Sequence, residues 1–208
     1  VLLLGICQDR EVTGIAAGLT FGFRDLYAYK DVTAGETNFQ TSMNESDSNR
    51  GGWSNAGLRN RLQTDFYAKL GNGMKSPVTG IVAVAKTQQY VEATSSSFQT
   101  QSDKVFIPSL YEVYGICLGT VNPSEGVAKP GSPSYYAPFQ YQYFASAGQG
   151  FGNSLAEKTF DGKVVGWWLR SVRGGTNGFC MSGAGNPVGS GNSANSSTPL
   201  GVLPCFCL

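Results

Sequence analysis

Histidine, the commonest general acid or base in enzymes, is absent from all 208 residues of this chain. Its absence removes Ser-His-Asp and Cys-His nucleophile pairs and every zinc site that uses an imidazole ligand. Catalysis would have to depend on Asp, Glu, Lys, Tyr or Cys side chains. The sequence therefore excludes the commonest catalytic arrangements and leaves the cysteines as the first groups to consider.

Cys205 and Cys207 are the two cysteines closest in sequence and would share one face of a strand. Two thiolates could hold a metal or carry redox chemistry, but no third ligand is nearby in the sequence. Reactive thiols also need an accessible, electropositive setting. The other cysteines are scattered without a C-x-x-C pair: Cys7, Cys117 and Cys180. We predict that all five are reduced and mostly buried, with no metal site and no cofactor.

Ion, nucleotide and nucleic-acid sites also have little support. Calcium requires clustered carboxylate and amide oxygens, whereas the sequence G-N-P at residues 185–187 offers one amide and no acidic residue follows Asp161. The runs GFGNS and GSGNS lack the βαβ pattern and the lysine of a P-loop. With 15 basic and 14 acidic residues the net charge is +1, which attracts neither nucleic acid nor an anionic membrane. We expect neither partner.

Arg170 is a charged residue within a strongly apolar run. It follows Trp167 and Trp168, which face opposite sides of a predicted strand, so at least one of them belongs to the core. Arg170 shares a face with Trp168, and a buried guanidinium needs a partner. We predict that this partner is Glu112, in competition with a capping role. Ser109 and Glu112 have the S-x-x-E spacing of a capping box.

The elements that must position these residues are short strands and helices, in a chain whose length fits one domain. A helix is predicted from Ser54 as N-cap to Gly71, with an apolar stripe at Leu58, Leu62, Phe66 and Leu70. A short strand followed by the capped helix is predicted within residues 103–117. Further strands are predicted at residues 1–7, 80–93, 163–172 and 200–208. The first of these is too short to span a bilayer and lacks a basic leader.

Two long segments carry no charge. Residues 130–156 include the stretch SYYAPFQYQYF, and residues 174–208 place Gly, Ser and Asn between two apolar strands. Tyr, Ser, Gly and Asn are the residues from which antibody combining sites are built. We predict that residues 176–195 bind a ligand. For residues 135–144, a binding surface and a second layer of core are equally supported.

Four motifs occur in an order that resembles a known fold. They are W-S-x-x-x-L-R-x-x-L from Trp53, K-V-F-I-P-S-x-x-E-V-x-G at Lys104–Gly115, W-W-L-R-S at Trp167–Ser171 and G-V-x-P-x-F-C-L at Gly201–Leu208. Together they resemble the bacterial and phage branch of the C-type-lectin-like fold, which is related in shape to formylglycine-generating enzymes. The resemblance implies an α+β domain with small antiparallel sheets, two helices and long irregular loops. The W-W-L-R-S strand and the terminal strand would lie in the core sheet, with the segment between them exposed.

This branch includes the variable proteins of diversity-generating retroelements, whose C-terminal region is rewritten at adenine-rich codons to make new binding surfaces. The tail of this chain is similar to such a region. The resemblance implies a non-enzymatic receptor-recognition domain with a variable C-terminal face, spanning residues 1–208. We expect it to be the C-terminal part of a longer extracellular or virion protein, since the chain begins without Met. The expected partner is a protein or glycan on a cell surface; a homo-oligomer is left open, and membrane insertion is not expected.

The candidate ligand contacts are polar and aromatic residues of the two charge-free segments. They are Tyr141, Tyr143, Thr176, Asn177, Phe179, Ser182, Asn186, Ser190, Asn192, Ser193 and Asn195. Two other functions stay open. One is a structural module of a phage or bacterial surface protein without a ligand of its own. The other is an oxidase of the formylglycine-generating kind, which acts through paired reactive cysteines.

Overall fold

A computed structural model describes residues 1–9, 16–27, 40–70, 85–90, 98–115, 140–172, 177–183, 194–195 and 198–208. Within these ranges the protein is a mixed α+β structure of small antiparallel sheets and few helices. The predicted α+β class with small antiparallel sheets is therefore confirmed. A hydrophobic core made of residues from both the helices and the strands holds these elements together.

The elements are short, and most strands have six residues or fewer. The helical elements are a 3₁₀ turn at Gly52–Asn55, α1 at Gly57–Arg61, a π-helical turn at Leu62–Phe66, α2 at Tyr67–Lys69, α3 at Leu110–Tyr114, α4 at Gln142–Ala145 and a 3₁₀ turn at Ser154–Ala156. The strands are β1 (Leu2–Ile6), β2 (Leu19–Gly22), β3 (Ala85–Tyr90), β4 (Phe98–Asp103), β5 (Lys158–Phe160), β6 (Lys163–Val165), β7 (Trp167–Val172), β8 (Gly178–Ser182), β9 (Ala194–Asn195) and β10 (Cys205–Cys207). The sheets are β1-β2-β10, β3-β4, β5-β6 and β7-β8-β9.

The first predicted helix starts later than its sequence indicates. Ser54 is not the N-cap, since its hydroxyl donates to the carbonyl of Gly51 at 2.8 Å. The N–H of Gly57, the first residue of α1, instead donates to the side-chain oxygen of Asn44 at 2.8 Å. The cap thus comes from a residue outside the local pattern. The apolar stripe is confirmed, because Leu58, Leu62 and Phe66 are buried and Leu70 packs against the core; Gly71 lies outside the described residues.

Two predicted strands are interrupted. Residues 163–172 form β6 and β7, which belong to different sheets. The chain passes between them at Gly166, where a Cβ atom would lie 2.7 Å from Cε of Met181. Between Asp103, the last residue of β4, and the start of α3, only Phe106 makes a bridge, pairing with Cys205. The strand predicted there is therefore reduced to a single ladder position.

Strand β2 is the centre of the first sheet and pairs antiparallel with both β1 and β10. Gly22 faces Leu2 on one side and Cys205 on the other. A Cβ atom at Gly22 would lie 2.9 Å from Cδ1 of Leu4, so a larger residue here would displace the Leu4 side chain. The first and last strands of the chain therefore lie on either side of one short strand.

The W-W-L-R-S strand and the terminal strand lie in two different sheets, which corrects the single core sheet that the resemblance implied. The sheets meet at Gly201, which forms a parallel bridge with Trp167. The carbonyl of Gly201 also accepts the N–H of Trp168 at 3.0 Å. Both tryptophans have 0% exposure. The prediction that at least one of them belongs to the core is therefore confirmed, and each indole finds a backbone carbonyl.

A second buried anchor joins α1 to β4. Asp103 has 0% exposure and accepts hydrogen bonds from Nε1 of Trp53 and Nε of Arg59, each at 2.7 Å. Burial raises the pKa of Asp103 above its usual value, and the Trp53 and Arg59 contacts oppose that effect. Both carboxylate oxygens are thus occupied by strong donors. This pairing joins Trp53 and Arg59, two residues of one sequence motif, to a single carboxylate.

The predicted ion pair between Arg170 and Glu112 is confirmed and is bidentate. Nη1 of Arg170 lies 2.6 Å from Oε2 of Glu112, and Nη2 contacts Oε1. The capping box is also present, since the N–H of Ser109 donates to Oε2 of Glu112 at 2.9 Å and Oγ of Ser109 accepts the N–H of Glu112. The prediction that capping and ion pairing compete for Glu112 was wrong, because its carboxylate has enough lone pairs for both Ser109 and Arg170.

Arg170→Ala should lower the free energy of unfolding by about 3 to 5 kcal/mol, since it leaves Glu112 as an uncompensated buried charge. Denaturant titration followed by tryptophan fluorescence measures the change. Lys163→Ala on the exposed part of β6 is the matched control and should change stability by less than about 0.5 kcal/mol. An Arg170→Ala protein as stable as the parent would contradict a structural role for the pair.

Candidate functional site

The C-terminal uncharged segment is fixed to the fold at both of its ends. Strand β8 pairs with β7, placing Ser182 opposite Trp167 and Phe179 opposite Val172. Strand β9 returns to β8, where Gly178 faces Asn195. The side-chain amide of Asn49 donates to the carbonyl of Gly178 at 3.1 Å and is itself buried. Residues 184–193 therefore connect two strands that pair with each other.

The segment is fixed again beyond β9. Leu200 exchanges two backbone hydrogen bonds with Thr41, at 2.8 and 3.0 Å. Val202 accepts the N–H of Tyr27 at 2.9 Å. The chain then enters β10 and is buried there. Its apolar end is thus part of the core, as predicted from the sequence.

Three of the predicted ligand contacts are buried, so their assignment to an exposed binding face was wrong. Phe179 has 0% exposure and packs edge-on against Trp168, with ring centroids 6.5 Å apart. Ser182 has 1% exposure, and its hydroxyl lies 2.7 Å from that of Tyr114. Tyr141 has 0% exposure and donates to Asp9. Composition cannot separate a buried, hydrogen-bonded polar residue from an exposed one, and here the buried arrangement occurs.

The remaining predicted contacts are divided between two groups. Asn177 and Tyr143 are half-buried, and Asn195 pairs with β8 through its backbone. The others lie outside the described residues: Thr176, Asn186, Ser190, Asn192 and Ser193. Of the tyrosine-rich stretch, Tyr141 and Phe144 are buried, and Gln142–Ala145 form α4. The described part of that stretch is therefore mainly core.

An exposed, uncharged loop lies beside the end of β8. Residues 145–152 are exposed or half-buried and carry no charge. Three of them have positive φ angles and are glycines: Gly148, Gly150 and Gly152. Phe151 is 37% exposed, and its ring centroid lies 5.4 Å from that of Tyr114. Since Tyr114 also contacts Ser182, this loop adjoins the point where the C-terminal segment leaves β8.

A buried polar cluster joins the two ends of the chain, and sequence reasoning missed it. Asp9 is 5% exposed and accepts hydrogen bonds from Thr20 on β2 and from Tyr141, whose hydroxyl is 2.9 Å from Oδ2. The Thr20 hydroxyl also lies 3.3 Å from the thiol sulfur of Cys207 on β10. In the sequence, Asp9 is a single aspartate after an apolar strand, and no local pattern indicates that it is buried and bonded to Thr20 and Tyr141.

The electrostatics of the cluster favour protonated groups. Burial, and next the charge of Glu112, raise the pKa of Asp9 from 3.8 to about 6. Burial also raises the pKa values of the Cys205 and Cys207 thiols well above their usual range. Both cysteines are therefore protonated at neutral pH, whereas thiol chemistry and metal binding require the thiolate. Within the described ranges, no three His, Cys, Asp or Glu side chains are grouped so that they could hold a metal ion.

The fold and the site define a mixed α+β domain with a hydrophobic core, a buried polar cluster around Asp9 and an uncharged C-terminal segment that is anchored on both sides. A family model described as "Domain of unknown function (DUF6273)" matches residues 26–208, and the chain belongs to this family. No curated protein and no solved structure gives a significant match. The helices in the described ranges are all too short or insufficiently apolar to cross a membrane.

Thiol labelling of the native protein should separate the described cysteines into two groups. Cys7 is exposed, whereas Cys180, Cys205 and Cys207 are buried. We expect a small maleimide to modify Cys7 quickly and the three buried thiols only after unfolding, as measured by peptide mass mapping. Fast modification of Cys205 or Cys207 at neutral pH would instead indicate an accessible, reactive pair.

Asp9→Asn should flatten the pH dependence of stability. Because the pKa of Asp9 is raised from 3.8 to about 6 in the fold, the folded state binds more protons than the unfolded state between these two pH values. The contribution of Asp9 to the free energy of unfolding is complete below pH 3.8 and is lost as the pH rises through about 6. The change amounts to about 3 kcal/mol.

Denaturant titrations across this pH range measure the effect as the difference between the parent and Asp9→Asn. Asp161→Asn, a change at an exposed aspartate in the β5-β6 turn, is the matched control and should follow the parent. Parallel curves for the parent and Asp9→Asn would contradict the raised pKa.

Proposed function

We propose that this protein is a non-enzymatic ligand-binding domain whose C-terminal face, centred on residues 184–193, recognises a protein or glycan on another surface. The observation that carries the proposal is the double anchoring of this segment. Strands β8 and β9 pair at its two ends, and β8 is buried against β7. A rigid base with an uncharged connection rich in Gly, Ser and Asn is the arrangement used by loop-based binding sites.

The proposal includes a C-type-lectin-like fold and a place among the target proteins of diversity-generating retroelements. Burial of the W-W-L-R-S strand and of β10 supports the first part. The second part rests on the composition of the tail. Burial of β8 narrows the variable face, because Phe179 and Ser182 would have to stay constant to preserve packing.

The alternative of an oxidase with paired reactive cysteines is less well supported. Cys205 and Cys207 are buried and protonated, and the hydroxyl of Thr20 contacts Sγ of Cys207. A structural module without its own ligand would share the same fold. It differs from the leading proposal in that its sequence would have no reason to vary between β8 and β9.

Randomising residues 184–193 should leave the fold intact in most members of a library. Randomising residues 178–182 is the matched control and should abolish folding in most members, because four of these five residues are buried. Protease resistance of displayed variants, followed by thermal melting of single clones, measures both outcomes. The folded members should also yield specific binders on selection against immobilised proteins and glycans.

Equal damage from both libraries would contradict a displayed variable face. Sequencing several members of the family from one genome separates the two non-enzymatic functions. Differences concentrated in residues 184–193 support ligand recognition, and differences spread evenly over the surface support a structural module.

A further inference from the structure

The first sheet, β1-β2-β10, is covered on one face and partly open on the other. Its inner face is buried in the core, where Leu4 and Thr20 are each 1% exposed. On the outer face, towards β10, the ring of Phe21 stacks on that of Phe206 at 5.8 Å, and the Phe23 ring lies 6.4 Å away. Towards β1 the outer face is exposed. The side chains of this open face are Val1 at 66%, Leu3 at 43%, Ile6 at 50% and Leu19 at 37% exposure.

A β-bulge in β1 brings Ile6 to the open face. Leu3 pairs with Phe21, and the register then shifts by one residue. Ile6 pairs with Leu19, which lies two positions before Phe21 and so on the same face. In a regular strand, residues three positions apart face opposite sides of the sheet, and Ile6 would lie beside Leu4 in the core. A bulge that moves an isoleucine from the core to the surface indicates that the open face takes part in an interaction.

The edge of β1 is already occupied at its carboxyl end. The N–H of Ile6 donates to Oε1 of Gln142 at 3.1 Å, and the N–H of Gln142 donates to Oε1 of Gln8 at 3.0 Å. Helix α4 therefore lies against this end of the strand. A partner would pack on the open face rather than add a strand to the sheet.

We propose that the open face is a dimer interface, against which a second copy of this chain packs its own open face about a twofold axis. Strands β1, β2 and β10 contain no charged residue, and a net charge of +1 gives two copies little mutual repulsion. The exposed side chains are all aliphatic, and homodimer interfaces are more apolar than those between different proteins. A twofold contact also requires only one patch that complements itself.

Other occupants fit the open face less well. Small ligands and glycans need polar groups that fix their orientation, and the four side chains of this face have none. An anionic membrane surface would require Lys or Arg beside the apolar residues, and the three strands contain neither. The chemistry of the face therefore favours another apolar, uncharged surface.

The size of the open face agrees with a weak, reversible dimer. Its exposed side chains leave about 300 Å² of apolar surface, a size at which patches on soluble proteins mark interaction sites. A standard interface buries about 800 Å² per copy, of which about 60% is apolar. The open face would supply more than half of that apolar area. The half-buried Phe21 and Leu208 adjoin it, since they pair with Leu3 and Leu19.

Sedimentation velocity of the full chain over a concentration series measures the monomer–dimer equilibrium. We expect a dimer with a Kd of about 10 µM, which added NaCl does not weaken because no charges meet. Leu3→Lys combined with Leu19→Lys should raise the Kd at least about tenfold, since each ammonium would be buried between two apolar faces. Val164→Lys is the matched control, because Val164 on β6 is also exposed, at 42%. It should dimerise as the parent does.

Thermal melting establishes that each variant is folded. If the lysine variant does not fold, Leu3→Thr combined with Leu19→Thr replaces it, since threonine favours strands, and it should also raise the Kd. A parent that stays monomeric up to about 200 µM, well above the expected Kd, overturns the proposal and leaves a different partner as the occupant. A dimer that these substitutions leave unchanged, or that Val164→Lys disrupts equally, overturns it too. The proposal does not rest on the ligand-binding function above, since neither library changes this sheet.

Discussion

One buried carboxylate, that of Glu112, determines how the helical and sheet parts of this protein fit together. It accepts the N–H of Ser109 at the start of α3 and both terminal nitrogens of Arg170 on β7. The same guanidinium also donates to the carbonyl of Ile107 at 2.7 Å, and the backbone N–H of Arg170 donates to Pro108. Strand β7 is therefore bound at Arg170 to the segment that leads into α3. Since separating a buried ion pair leaves an uncompensated charge, this network favours one arrangement of the two elements.

The distribution of charge separates the frame from the displayed surface. Inside, polar groups are joined in networks that involve Asp9, Asp103 and Glu112, each bonded to residues distant in sequence. At the surface, the exposed and half-buried loop at residues 145–152 carries no charge. Directional hydrogen bonds in the interior specify geometry, whereas a neutral surface of small residues leaves the choice of ligand to shape and local hydrogen bonding.

The sequence predicted the features that depend on a local residue pattern or on the high energetic cost of burying an unpaired charge. The α+β class, the capping box at Ser109, the apolar stripe of the first helix and the Arg170–Glu112 pair all follow from such rules. The sequence did not predict hydrogen bonds between residues that are distant in sequence. The cap of α1 comes from Asn44, and the partners of Asp9 are Thr20 on β2 and Tyr141, the residue before α4. It also failed where composition was ambiguous, since Phe179 and Ser182 have the composition of a binding loop but pack in the core. Neither error could be avoided from a single chain, because tertiary partners decide both.

The central position of β2 has a consequence for how the chain folds. Residues 19–22 pair on one side with the first strand and on the other with residues 205–207. The second of these pairings closes the loop between residues 22 and 205. Such long-range contacts form slowly, because the chain loses the conformational entropy of loop closure before the strand pairing stabilises the structure. During synthesis on the ribosome, strand β2 therefore keeps one edge unpaired until residues 205–207 have emerged. The three-stranded sheet is completed only at that point.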